Sequence, residues 1–163
     1  MALRKVLRKS GGLLFAFALV FLAACPPEEK AGPGEKEESP TEGKLPRGAL
    51  TFEGGPEIQI EIATAPEELR IGLSYREKLC GLCGLYFVFP EEQTQTFWMR
   101  RMRFPIDILW LRAGKVAGTS ENLPPPKDPN APEWSLPRYE SPVPVRHVLE
   151  VPAGFVQKHG LRV

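Results

Sequence analysis

Soft metal ligands are scarce in this chain, with two histidines and three cysteines in 163 residues. A structural zinc centre needs four ligands in a tetrahedron. His147 and His159 stand apart from each other and from the cysteines at 80 and 83, so neither a metal site nor a cofactor is expected. Both histidines read as structural, His159 near a helix end where a cation suits the dipole. The chain also lacks a phosphate-binding glycine loop and a dinucleotide fingerprint. No Ser, Thr or Cys stands in a nucleophile-elbow pattern. Internal repeats are absent, and apolar runs long enough to span a bilayer are absent too.

The longest apolar run, Gly12 to Leu22, has the length of a signal-peptide core. Arg4, Lys5, Arg8 and Lys9 precede it, and Leu22-Ala23-Ala24-Cys25 follows. That pattern resembles a bacterial lipobox, cut before a cysteine whose sulfur carries a diacylglyceryl group. Residues 1–24 therefore read as a lipoprotein signal peptide and Cys25 as the lipidated, palmitate-type anchor. The expected address is the extracytoplasmic face of a membrane in the cell envelope, and the expected partner there is membrane lipid. Removing the four basic residues of the leader leaves 17 Lys and Arg against 20 Asp and Glu, a net charge near −3. Nucleic-acid binding needs a basic surface, which this composition does not provide.

Residues 25–47 are rich in Pro, Glu, Gly and Lys, with Leu45 the one large aliphatic side chain. A segment of that kind buries too little apolar area to offset its ordering entropy. It reads as a disordered tether with a reach on the order of 25 Å, leaving 48–163 as the globular domain. Ile58, Ile60 and Ile62 alternate with Gln59 and Glu61, the period of a half-covered strand. Thr64-Ala65-Pro66-Glu67 predicts a capping box opening a short helix to about Leu73. Leu85 to Phe89 reads as a strand, Pro90 to Gln93 as a turn, and Ala113-Gly114 as a hairpin turn. From Leu123 to Pro144 the chain is a proline-rich loop containing Trp134 and Tyr139. Val145 to Val151 predicts a last strong strand, and a short helix closes at Gly160. The expectation is a mainly-β (α+β) domain, a compact sandwich or barrel-like fold of about seven strands with two short helices.

The segment Phe97 to Leu111, FWMRRMRFPIDILWL, dominates the domain's chemistry. From Ile106 to Leu111 it is apolar on both faces except at Asp107, as a central covered strand would be. A buried carboxylate needs a partner, and an arginine such as Arg146 or Arg101 is the expected one. A second possibility pairs Asp107 with Glu121 as acid–base carboxylates of a hydrolase. A third gathers Trp98, Arg101, Asp107, Glu121, Asn122, Tyr139 and Arg146 into a ligand site or a buried polar network. Cys80-Gly81-Leu82-Cys83 predicts a disulfide in an oxidising compartment, with thiol–disulfide exchange as the alternative.

The runs IEIATAPEELRIGL (60–73), GLYFVF (84–89), FWM (97–99), PIDIL (105–109), ENLPP (121–125) and RHVLEVPAGFVQKHG (146–160) resemble the prokaryotic domain of unknown function 192 family. The resemblance covers about 57–163. It implies a compact β-rich domain, often secreted or lipid-anchored, and brings no reaction with it. Here Arg100-Arg101-Met102 replaces the family's usual Lys-Asn-Thr. The expected role is a non-catalytic binding or accessory module for an envelope ligand or protein.

Overall fold

A computed structural model describes residues 37–161. The expected signal peptide, Cys25, the first part of the expected tether and the last two residues lie outside the described residues. Eight strands and two short α-helices follow in the order β1 (Arg47–Thr51), β2 (Glu57–Ala63), α1 (Pro66–Ile71), β3 (Cys83–Gln93), β4 (Thr96–Phe97), β5 (Ile106–Arg112), β6 (Lys115–Leu123), β7 (Tyr139–Glu140), β8 (Val145–Pro152) and α2 (Phe155–His159). Six strands form one sheet in the order β1-β2-β3-β8-β5-β6, and β4 pairs with β7 separately. β2 and β3 run parallel, joined through α1, whereas every other pairing is antiparallel.

Two apolar clusters cover the two faces of the sheet. Leu85, Phe87, Ile106, Ile108, Trp110 and Val148 belong to one, beside Leu73, Met99 and Met102 from the loops. Ile58, Ile60, Leu109, Leu111, Leu149 and Val151 belong to the other, under Phe155 and Val156 of α2. Leu50 from edge strand β1 and Val116 from edge strand β6 pack on this second cluster. The sheet therefore curls toward itself, but β1 and β6 are not hydrogen-bonded to each other and the barrel stays open. β5 is buried from Ile106 to Leu111, as its unbroken apolar run predicts.

Three local expectations are corrected. The tether ends sooner than position 47: Leu45 is buried in the first cluster. Ser39 and Thr41 are buried as well, and the Thr41 hydroxyl donates to the Gly72 carbonyl at 3.4 Å. One aliphatic side chain and a few hydroxyl contacts are enough to seat 37–47 on the domain. Second, the helix cap shifts by one residue. Ala65 is the N-cap and Pro66 the first helical residue. The Glu68 carboxylate accepts the Thr64 and Ala65 amides at 2.8 Å each, while Glu67 pairs with Arg70. Third, β3 runs through Pro90 instead of turning there. A register shift between Val88 and Gln93 takes the proline out of the ladder, where its missing N–H does no harm.

Gly84 marks a tight approach between β3 and β8. A Cβ there would stand 2.8 Å from Leu149 Cδ1 and 3.1 Å from the Glu150 carbonyl. Leu149 is wholly buried and has no room to yield. Gly84→Ala is expected to cost about 1–3 kcal/mol in urea unfolding; a cost indistinguishable from zero would show that the β3–β8 contact is looser than this geometry.

Candidate functional site

The seven residues singled out in sequence do not gather into one site, although Asp107 and Asn122 are hydrogen-bonded. Asp107 is wholly buried, on the face of β5 opposite the first cluster. Its Oδ1 accepts the Asn122 amide at 2.7 Å and its Oδ2 accepts the Val156 amide at 2.9 Å. The expected guanidinium partner is therefore incorrect: two backbone amides hold this carboxylate. Asn122 adopts a left-handed conformation, φ 54°, at the register shift where β6 passes Asp107. That bend aims its N–H at the acid, and Val156 supplies a first-turn amide of α2. Asp107 thus ties the β5–β6 hairpin to the last helix.

Arg146 is exposed and its Nε donates to the Phe89 carbonyl at 3.0 Å. Arg101 bonds to Asn130 and lies 3.6 Å from Glu37. Glu121 is exposed and accepts the Thr119 hydroxyl at 3.0 Å. The hollow beside Glu121 is lined by Asn122 and Val156 but not by Asp107, so the two carboxylates do not face a shared space. Trp98 and Tyr139 do come near one another, since Phe97 pairs with Tyr139 across β4 and β7. Cys80 and Cys83 are disulfide-bonded in the surface turn before β3.

A pocket that sequence reasoning passed over lies between α1 and the first face of the sheet. Its volume is about 240 Å³, and Leu69, Leu73, Phe87, Phe89, Phe97, Trp98 and Met102 give it apolar walls. Glu150, on β8, stands among them as the one carboxyl of the lining. Phe97 meets Phe87 edge-on at 5.0 Å and Trp110 edge-on at 5.5 Å, which fixes the aromatic wall. Gly72, φ 54°, closes α1 over the carboxyl; a Cβ there would stand 3.8 Å from Glu150 Oε2 and 3.3 Å from the Phe87 ring. An L side chain is disfavoured at this dihedral, so glycine lets the chain pass close to the acid.

Glu150 is buried and its Oε2 has no hydrogen-bond partner. The strand register sets Glu61, Leu85 and Glu150 in one row across the same face. Arg76, itself buried, reaches into this row and lies 2.5 Å from Glu61 Oε2. Its Nε and Nη2 make no hydrogen bond. One guanidinium thus stands beside two carboxyls and contacts Glu61 through Nη1. Burial, the larger effect, pushes Glu150 up to about 8, with the Arg76 guanidinium pulling the other way. At neutral pH the group on the pocket floor is a carboxylic acid that can donate a hydrogen bond.

The rim is tied to the proline-rich loop. The Arg138 guanidinium stacks over the Trp98 ring at 4.3 Å, and Arg100 lies 3.5 Å from Glu133. Arg101 and Tyr75, both left-handed, are stitched together by the Tyr75 amide donating to the Arg101 carbonyl at 2.9 Å. The signal for Glu150 was present in VRHVLEV: an acid between Leu149 and Val151, like Asp107 in β5.

Fold and site together define a small, mainly-β domain whose open, curled sheet carries an apolar pocket floored by a buried acid. The chain belongs to the DUF192 family, described as an uncharacterised ACR, whose profile matches residues 49–163. Two crystal structures are similar. One, from Sinorhizobium meliloti and described as a candidate transcription regulator, is 29% identical over 66% of this chain and 78% of its own, with a TM-score of 0.58. The other, a protein of unknown function from Novosphingobium aromaticivorans, is 23% identical over 80% of this chain and 89% of its own, with a TM-score of 0.64. The second supports the fold alone. No curated protein matches the chain.

Proposed function

We propose that this chain is a lipid-anchored binding module of the cell envelope, tethered through acylated Cys25, which receives a small ligand in the pocket beneath α1 and catalyses no reaction. The observation that carries the binding half is an aromatic-walled pocket with a few polar side chains, Glu150 the one carboxyl among them, the usual make-up of a small-molecule site. Among the described residues no second acid lines the pocket with Glu150, which favours holding over turnover. Ser74, a hydroxyl of the lining, donates instead to the Arg100 carbonyl at 2.8 Å. The anchored half rests on the basic n-region, apolar core and Leu-Ala-Ala-Cys ending of the leader. Its net charge near −3 without the leader gives no help to electrostatic attachment, so the acyl chains would do the anchoring.

Mass spectrometry of the mature N-terminus is expected to find acyl groups on Cys25. An unmodified terminus at another residue would remove the anchored half and leave the pocket reading untouched. A second reading, thiol–disulfide exchange, is favoured by one observation, the exposed position of Cys80 in its bridge with Cys83. Titration against a glutathione buffer decides it: a potential as reducing as that of ordinary structural disulfides would discard it.

A further inference from the structure

We infer that the pocket beneath α1 selects an uncharged ring compound bearing a hydrogen-bond-accepting oxygen, with that oxygen on Glu150 and the ring against Phe87, Phe97 and Trp98. The inference rests on the reading of this pocket as a binding site and adds the class of ligand. Glu150 Oε2 is buried without a partner, and such an atom costs free energy until something bonds to it. The Arg76 guanidinium beside it contacts Glu61 through Nη1 and makes no hydrogen bond to Glu150, and burial favours the neutral, donating form of the carboxyl. A neutral donor calls for an acceptor.

The charged groups around it argue against ionic ligands. Glu61 and Arg76 face Glu150 from β2 and from the chain after α1; Arg70 and Arg100 line the pocket from α1 and the loop before β5. A cation would meet no carboxyl in the lining besides Glu150 to replace its hydration. Glu67 and Glu133 occupy Arg70 and Arg100, so a carboxylate would lose its hydration with no free guanidinium at the rim to replace it. Size sets a further bound. The pocket's volume is about 240 Å³. A dry cavity of about 150 Å³ takes a benzene ring, so one substituted ring fits here with little room to spare.

The test is an NMR titration of the full chain with acetophenone, toluene and benzoate at about pH 6.5, below the range in which Glu150 ionises. Acetophenone is expected to bind about tenfold or more tightly than toluene, one good hydrogen bond being worth about that factor. It should also outbind benzoate. Glu150→Leu should erase the preference for acetophenone over toluene. Glu150→Gln, whose amide still donates, should keep it. Raising the pH to about 9.5 should weaken acetophenone about tenfold or more in the wild type and leave Glu150→Gln unchanged. If toluene and acetophenone bind equally in the wild type, or benzoate binds best, the ligand class is wrong while the pocket stands. If none of the three perturbs Phe97 or Trp98, the class and the pocket reading both fall.

Discussion

Asp107→Ala lowers the unfolding free energy by about 3–6 kcal/mol, the sum expected for two backbone hydrogen bonds to a buried carboxylate at about 1.5–3 kcal/mol each. Both oxygens are engaged, at 2.7 and 2.9 Å, and the residue is fully enclosed. Water cannot replace the lost acceptor without opening the structure, so the Asn122 and Val156 amides would be left facing an apolar hole. Asp107→Asn should cost about half as much, because an amide oxygen serves one donor while its NH₂ opposes the other. Glu121→Ala, at an exposed position, should stay within about 0.5 kcal/mol. Urea unfolding of the three variants checks this. A cost below about 1 kcal/mol for Asp107→Ala would mean that the acid does not hold the hairpin to α2.

Stability is expected to fall as the pH rises from 4.5 to about 8 because of Glu150, whose burial raises it from 4.5 to about 8. Below 4.5 the group is protonated in both states, and its contribution is fully present. Between the two values the unfolded chain has released the proton and the folded chain has kept it. Each pH unit there removes about 1.4 kcal/mol, about 5 kcal/mol in all, and above about 8 the loss is complete. Glu150→Gln cannot ionise in either state. At pH 7 it should therefore be more stable than the wild type, by up to about 3 kcal/mol. The difference between the two curves isolates this residue from others that titrate, such as Glu68, which its amide bonds pull down. Parallel curves for wild type and variant would deny the shift.

Much of the sheet was legible. The Ile58-Ile60-Ile62 alternation and the unbroken run at 106–111 are period signals, and both became the strands they predict. The two-residue pairing of β4 with β7 left no such trace, because it depends on how the loop 124–144 folds back. Asp107 was recognised as a buried acid, but its partners were not. Every residue carries an amide, so composition cannot reveal a carboxylate held by backbone alone. The gathering of Trp98, Arg101, Glu121 and Arg146 into one site failed because their side chains point to different neighbours across a curled sheet. Glu150 gave the same signal as Asp107, a charge inside an apolar strand. Its lack of a partner is a three-dimensional fact, set by where Arg76 and the chain after α1 come to rest.

The state of one carboxyl, Glu150, decides both the ligand class and the pH dependence of stability. A carbon-13 NMR titration of Glu150 in the full chain, assigned by its loss in Glu150→Gln, reads that state directly. The expected carboxyl resonance is that of the protonated acid at about pH 6, moving to the carboxylate with a midpoint near 8. A resonance already at the carboxylate position at pH 6 would put a charge on the pocket floor and contradict the claim.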